Sequence, residues 1–451
     1  MNRLLSNILL GVLLPSQHLG TFDVIVAGGG SAGATAAISA ARHGSSTLLI
    51  DRLPFVGGTS TGVLDTFYGF YTPGSSAKKI VGGVPDVVVN ELESLGPVVN
   101  RPNTYGAGTG ITYNPEHLKI VWERLLKRSG AKVLLHTLII AVDKSDSRIS
   151  EITVVNRAGI FTVNAQVFID ATGDADLSHL AGFSYERAGD ISPAQTLTTT
   201  FRMVNVDLAE RKKISKNELH QLMQDAAKDG YELPRREGSD HITTVPNSTA
   251  TVMTRLDTVR VKPSGGVESV IEDPFFLTES EMQGREQALE YARFLKDRVP
   301  GYQNAELYGL STFLGVRESR RVFGDYRVTK DDVLEARQFE DQIALCGAPI
   351  EDHHSGDGTS WVYLPDGSAV GIPLSSLIIK DGSNSMVVGR CFSATHDAHA
   401  SIRSMAQCMA MGSAAGITAS IATKKHCEIR DINFSEIRDT LVATGALLEV
   451  H

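Results

Sequence analysis

Residues 22–51 constrain this chain more than any other stretch. Asp23-Val24-Ile25-Val26-Ala27 is a strand-forming apolar run, and it leads directly into Gly28-x-Gly30-x-x-Gly33. A helical stretch follows from Ala34 to His43, then a second apolar run, Thr47–Ile50, that ends in Asp51. Strand, glycine turn, helix, strand and acid in this order form the βαβ unit that holds a dinucleotide. Gly28 permits the tight turn, Gly30 lets a pyrophosphate approach the backbone, and Gly33 lets the helix lie close to the strand. The helix N-terminus offers N–H groups and the positive end of its dipole to the phosphates. Asp51 follows Gly33 by 18 residues, where a carboxylate can accept from the ribose hydroxyls. The chain holds 42 glycines, so the triplet alone would mean little; the strand, helix and acid around it make the motif specific.

A chain of 451 residues folds as two or three domains around a sizeable core. Lys and Arg number 43 against 52 Asp and Glu, a net charge of −9 with no basic stripe, so no nucleic-acid partner is expected. Cys346, Cys391, Cys408 and Cys427 are scattered without a C-x-x-C pair, which predicts reduced, mostly buried thiols and no metal framework. The apolar run Leu4–Leu14, closed by Pro15, is too short to cross a bilayer. It resembles the core of a secretory signal, but no A-x-A-like site follows it and the strand at Phe22 leaves little room for cleavage. We read residues 1–21 as a retained arm and expect a cytoplasmic protein without a stable membrane span.

Residues 52–82 are rich in Gly, Ser and Thr, as suits a loop over a cofactor. Apolar spacing predicts helices over 83–95 and 115–129. Short strands are expected at Lys132–His136, Ile139–Asp143, Glu151–Asn156 and Ile160–Asn164, with a turn at Asn156–Gly159. Val167–Asp170 reads as a further buried strand. From about residue 190 the pattern changes: a strand at 196–206, polar-faced helices at 215–229 and 278–298, and short strand-like runs broken by Pro and Gly. A buried strand returns at 386–389, followed by one long small-residue helix, Ala400–Thr423, and an amphipathic helix at Phe434–Thr444. The expected organisation is an arm (1–21), a discontinuous α/β dinucleotide domain (22–190 and 370–451) and an inserted α+β domain (191–369).

Three further motifs carry chemistry. Gly57-Gly58-Thr59-Ser60-Thr61 allows backbone to lie against a flat ring, with hydroxyls for phosphate or ring edges. Ala171-Thr172-Gly173-Asp174 ends a strand, where open α/β sheets place ligands. Gly389 to Arg403 packs two His, two Arg and several hydroxyls ahead of a helix whose Ala414, Ala415 and Gly416 would let it approach the sheet closely. A helix start of this kind can direct its dipole at a ring that gathers negative charge on reduction.

These pieces resemble FAD-dependent oxidoreductases of the glutathione-reductase-like superfamily, in the family related to the fumarate reductase and succinate dehydrogenase flavoproteins. The resemblance runs through Asp23–Gly33, Gly57-Gly58-Thr59, Ile169–Asp176, Leu314–Arg321, Gly371-Ile372-Pro373 and Gly389–Gly416, nearly the whole chain. It implies a Rossmann-like FAD-binding domain with an inserted substrate domain, FAD as cofactor, Asp51 on the adenosine ribose, and the Gly389–Ser401 region around the flavin. Expected cofactor contacts are Gly28, Gly30, Ser31, Ala32, Gly33, Asp51, Arg52, Gly58, Thr59, Ser60, Thr61, Ala171, Thr172, Gly173, Asp174, Gly389, Arg390, Ser401 and Ile402. Two features depart from the wider pattern: Asp51 stands where Glu is more usual, and no clean His/Arg dicarboxylate clamp appears. With a single G-x-G-x-x-G, no second nicotinamide domain is expected.

A flavin dehydrogenase needs a substrate C–H over flavin N5 and a group to handle the accompanying proton. His396 and His399 are the candidates for that group, and Arg403 for holding a substrate anion or reduced flavin; His396, His399 or Cys391 could alternatively tether FAD covalently. Tyr68, Tyr71, His354 and Trp361 are candidates for the pocket of a small-molecule substrate. Adjacent His353 and His354 with Asp352 and Asp357 lack metal-ligand spacing, so no metal is expected. Arg317, Glu318, Arg320 and Arg321 form a charge cluster, either ion-paired at the surface or structural at a domain junction. The leading expectation is a dehydrogenase or oxidase; a flavin monooxygenase and a non-catalytic FAD-binding protein are the alternatives, and a homo-oligomer is compatible with each.

Overall fold

The computed structural model describes residues 17–74, 77–101, 109–191, 194–261, 267–353 and 358–450. Its centre is a seven-stranded sheet. β1 (Gln17–Ala27) leads into helix α1 (Ser31–Arg42) and returns as β2 (Thr47–Ile50). Helices α2 (Val84–Leu95) and α3 (Pro115–Ser129) follow, then β3 (Lys132–Leu134), β4 (Leu138–Ser145), β5 (Arg148–Asn156) and β6 (Gly159–Asp170). The sheet runs β3–β2–β1–β6–β5–β4. The first four strands are mutually parallel, and β5 and β4 continue them antiparallel. Both faces of β1 are covered: Val24 and Val26 enter one hydrophobic cluster, Ile25 and Ala27 another. That double burial is why β1 and β2 read as unbroken apolar runs.

Two boundaries differ from expectation. β1 begins at Gln17, because Gln17–Phe22 pairs with Phe161–Ala165 along an edge whose polar residues conceal the strand. Residues 17–21 of the expected arm are therefore sheet; the Leu4–Leu14 run lies outside the described residues. The strands expected at 160–164 and 167–170 are one strand, β6, in which Gln166 donates from Nε2 to Asp23 Oδ1 at 2.7 Å. The polar residue interrupts the apolar pattern but not the hydrogen-bond ladder.

Past residue 190 a second core forms. Strand β7 (Phe201–Val204) pairs antiparallel with β9 (Ser248–Thr251) and β10 (Glu306–Leu310), and β8 (Asp240–Ile242) adds to β9. Helices α4 (Lys216–Lys228) and α5 (Pro274–Arg298) back this sheet with Leu219, Met223, Tyr291, Phe294 and Leu295 against Phe201 and Met203. Of the strand expected over 196–206, only Phe201–Val204 is regular. The chain then re-enters the first core ahead of residue 370. β11 (Gln342–Cys346) and β14 (Val370–Pro373) pair antiparallel, and Ile343, Leu345 and Ile350 pack with α1 and α3 residues. Between them β12 (Ile350–Asp352) and β13 (Ser360–Val362) form a hairpin. β15 (Ser385–Val387) joins the main sheet beside the C-terminal half of β6.

The long helix expected from Ala400 is two helices, α6 (His396–Ile402) and α7 (Met405–Lys425), separated at Arg403-Ser404. α7 lies chiefly on α1 rather than on the sheet, and its small residues serve a helix–helix contact. A Cβ on Gly412 would stand 2.0 Å from Ala32 O, and one on Gly416 2.2 Å from Ala36 O. Helix α8 (Phe434–Ala443) closes the chain. Among the described residues, no helix is long and apolar enough to cross a membrane.

Candidate active site

The glycine turn sits at the C-terminal edge of the parallel strands. Gly28 has φ +95°, and a Cβ there would meet Ala171 O at 2.5 Å. Gly33 is tighter: a Cβ would stand 1.9 Å from Gly28 O. Above Gly30 the space is open, with no atom within 4 Å of a Cβ position, and Gly30 caps α1 without any side chain on the helix N-terminus. Asp51 is buried beneath this opening. Its Oδ2 accepts from Gly29 N–H at 2.5 Å and its Oδ1 from Leu53 N–H at 2.7 Å. Burial raises its pKa, against these bonds. A bare helix end, an unfilled cradle over Gly30 and a fixed carboxylate together fit the adenosine-diphosphate half of a dinucleotide.

The second loop behaves differently from expectation. Gly57 N–H donates to Gly29 O at 2.7 Å, which brings Gly58 against Gly30. Ser60 Oγ donates to Gly57 O at 2.8 Å and Thr61 Oγ1 to Val56 O at 3.0 Å. As donors these two buried hydroxyls hold their own loop; Thr59 is half-buried and Arg52 exposed.

On the far side, Asp170 organises the Ala171–Asp174 loop. It is fully buried and accepts from Thr172 Oγ1 (2.8 Å), Ser178 N–H (2.8 Å) and Ser178 Oγ (2.7 Å). Arg390 is tied into the same loop, donating to Gly173 O at 2.9 Å and to Asp174 Oδ1 at 2.7 Å, and to Val316 O. Burial opposes ionisation of Asp174, but Arg390 and the Ser319 hydroxyl outweigh it and lower its pKa. Ser401 donates to Ala348 O at 2.5 Å, and Ile402 is fully buried. The side chains of Arg390 and Ser401 thus bond the protein's own frame.

His396 and His399 lie on α6 in contrasting surroundings. His396 Nδ1 contacts Glu318 Oε1 at 2.9 Å and Oε2 at 3.0 Å, and so carries a hydrogen. Its Nε2 faces Asp352 Oδ1 at 3.3 Å. His399 is wholly buried and its Nε2 donates to Arg390 O at 2.7 Å. Burial and the Arg321 charge push its pKa well below 6.5. Glu318 and Arg321, expected at a surface or a junction, are buried and ion-paired; Arg321 also donates to Glu186 Oε1 at 2.5 Å.

Arg403, at the break between α6 and α7, donates to Gln195 Oε1 at 3.0 Å. Beside it, Glu351 Oε1 accepts from His353 Nε2 at 2.8 Å. His353 Nδ1 accepts from Thr359 Oγ1 at 3.0 Å and lies 3.4 Å from Arg255, so the ring is neutral with its hydrogen on Nε2. Burial and Arg317 push His353 down to about 3. Burial works against ionised Glu351, yet His353, Arg403 and Arg317 hold it down to about 2. Tyr68 stands near this group, its hydroxyl accepting from Arg101 at 2.5 Å. Trp361 is half-buried on β13, cross-strand from Glu351. Tyr71 packs against the main core, and His354 lies outside the described residues. Sequence reasoning missed Glu318, Asp352, Glu351 and Asp170 as partners. The one available signal was the charge-rich Leu314–Arg321 block.

The profile of the FAD dependent oxidoreductases matches residues 23–441. The chain therefore belongs to the FAD dependent oxidoreductase family, and its cofactor is FAD. Among curated relatives, the digeranylgeranylglycerophospholipid reductases of Thermoplasma volcanium and Thermoplasma acidophilum are 26% identical over 199 residues and 28% over 207. Each match covers 42% of this chain and 48% of the relative, so the chain spans about half the length of the curated relatives it matches. Among solved structures, a geranylgeranyl bacteriochlorophyll reductase-like protein from Thermoplasma acidophilum aligns over 95% of this chain and 84% of its own, at 15% identity and TM-score 0.44. A flavin-dependent brominase aligns over 94% and 83%, at 12% identity and TM-score 0.46. At these TM-scores the likenesses say nothing about substrate.

Proposed function

We propose that the chain is a dehydrogenase or oxidase that moves a hydride between a small organic substrate and flavin N5. The observation that carries this is the pairing of the open glycine cradle over Asp51 with a histidine whose Nδ1 is fixed by a buried carboxylate. When bound, FAD supplies the two-electron chemistry at N5. The Gly28–Gly33 turn, the α1 N-terminus and Asp51 hold its nucleotide half. Gly58, Gly173 and Gly389 bring backbone to the rest. Glu318 orients His396, and His396 Nε2 exchanges the substrate proton on the side facing Asp352 (a base fixed by a third group). Arg403 orients the substrate. His399, neutral and bonded to Arg390 O, holds the Arg390 turn in place of the proton-transfer role expected of it. The inserted segment around β7–β10 covers the substrate, while Val322, Val328, Val333, Ile343, Ile350, Leu364 and Ala369, all within the expected insert, pack in the cores of the main sheet.

The test is to purify the protein, record its flavin absorbance, and screen organic metabolites for anaerobic bleaching. Bleaching by a substrate without oxygen supports the proposal. Turnover that requires oxygen and a nicotinamide donor and yields a hydroxylated product assigns a monooxygenase instead. Flavin that resists even dithionite assigns a binding protein. With a substrate in hand, His396→Ala should lower turnover by about 10²–10⁴-fold. Unchanged turnover removes His396 from the chemistry.

A further inference from the structure

Around Arg403 the fold gathers arginines from three segments of the chain. Arg235 comes from the inserted segment, Arg317 from the chain leaving it, and Arg403 from the break after α6. Their hydrogen bonds, among the described residues, go to uncharged oxygens. Arg235 donates to Val252 O at 2.8 Å and Thr359 Oγ1 at 3.4 Å, Arg317 to Thr196 O at 2.7 Å, and Arg403 to Gln195 Oε1 at 3.0 Å and Glu351 O at 3.4 Å. Burial, Arg403, Arg235 and Arg255 bring Arg317 down to about 9 against the pull of Glu351; Glu351 and Asp352 face Arg403, and Glu351 and Glu237 face Arg235.

Three donors in this group have no acceptor among the described residues: Arg235 Nε, Arg403 Nε and Gln195 Nε2. Gln195 is wholly buried and Arg235 is 8% exposed, whereas Arg317 and Arg403 keep some accessible surface. Buried N–H groups are rarely left without acceptors, and clustered arginines repel one another even where carboxylates partly offset them. An oxyanion satisfies both at once, because guanidinium forks bind carboxylate and phosphate oxygens in pairs. Asp352, the second carboxylate beside Arg403, lies 3.3 Å from His396 Nε2 and links the arginine cluster to that histidine.

We infer that Arg235, Arg317, Arg403 and Gln195 form an oxyanion pocket, and that the substrate is a small molecule carrying a carboxylate or phosphate group held there. This rests on the reading of His396 and the flavin given above, and it names the part of the substrate that reading left open.

The experiment is thermal unfolding of the full-length, FAD-loaded protein, read by circular dichroism, with acetate, benzoate or inorganic phosphate titrated against sodium chloride at matched ionic strength. At least one oxyanion should raise the midpoint saturably by several degrees, as ligand linkage requires. A response to acetate or benzoate assigns a carboxylate, and a response to phosphate a phosphate ester. The double variant R235Q/R317Q should lose this response, with affinity weakened at least about tenfold for each charged hydrogen bond removed. Its midpoint in anion-free buffer should hold or rise, since repulsion is relieved. No response in the native protein beyond that to chloride overturns the inference, as does a response that survives the double variant. If the variant does not fold, the native titration decides alone. Flavin that bleaches with substrate in a protein indifferent to oxyanions sinks this inference and leaves the oxidoreductase reading intact. An oxyanion response in a protein that holds no flavin does the opposite.

Discussion

Asp51 belongs to the protein's frame and, in the proposed function, to the nucleotide site as well. Its two oxygens accept from Gly29 and Leu53, so the carboxylate fixes the glycine turn before any cofactor arrives. Asp51→Asn places an NH₂ group against one of two backbone donors, which costs about 1–3 kcal/mol. The expected outcome is a lower thermal midpoint together with loss of FAD on gel filtration. Full FAD content at an unchanged midpoint would contradict the role. Gly33→Ala should be harsher, because its Cβ would overlap Gly28 O and the helix cannot retreat without opening the cradle. At this scale the place of Asp51 and the glycines in one βαβ unit was legible, since it depends on spacing along the chain. Glu318 and Asp352 were not, because their meaning lies in reaching His396 from 78 and 44 residues away.

At the scale of elements, the contact between α1 and α7 positions both halves of the site. Small residues line both helices, and hydroxyls cross the gap: Ser39 Oγ meets Ser413 Oγ at 3.1 Å, and Ser45 Oγ, just past the end of α1, donates to Ser420 Oγ at 3.0 Å. Gly416→Val forces a branched side chain against Ala36 O and should destabilise the protein by about 1–3 kcal/mol. The measurement is the thermal midpoint beside that of the exposed-face control Lys424→Ala; equal midpoints would mean that the two helices can separate at no cost. Small residues in sequence announced close packing but not the partner, since a glycine stripe suits a sheet and a helix alike. The break at Arg403-Ser404 was invisible for a related reason. Both sides of it are helical by pattern, and it is the surrounding packing that turns Arg403 out of the helix toward Gln195 and Glu351.

At the scale of the whole molecule, the charged junction between the two cores predicts acid sensitivity. His353 is ordinarily protonated below about 6.5 and in the fold only below about 3. Between those values the unfolded chain binds a proton that the folded one refuses, so acidification removes stability. Glu351, held down to about 2, acts in the same direction below its ordinary 4.5. Asp51, raised above 3.8, opposes them near that pH. The thermal midpoint should therefore fall from pH 7 to pH 5, and His353→Gln should flatten that fall. A flat profile in the native protein would place His353 in water.

Sequence by itself determined the dinucleotide half of this protein: a βαβ unit, its glycines and its acid, because that chemistry is carried by neighbours along the chain with fixed periodicity. It also marked the 389–416 segment as chemically dense. Only the tertiary structure decided which groups in that segment bond to the rest of the protein. It turned Arg390, Ser401 and His399 inward, gave His396 its carboxylates, and brought Arg235, Arg317 and Arg403 together near Glu351. Those contacts are set by burial and charge between segments distant in sequence, and local pattern carries no record of them.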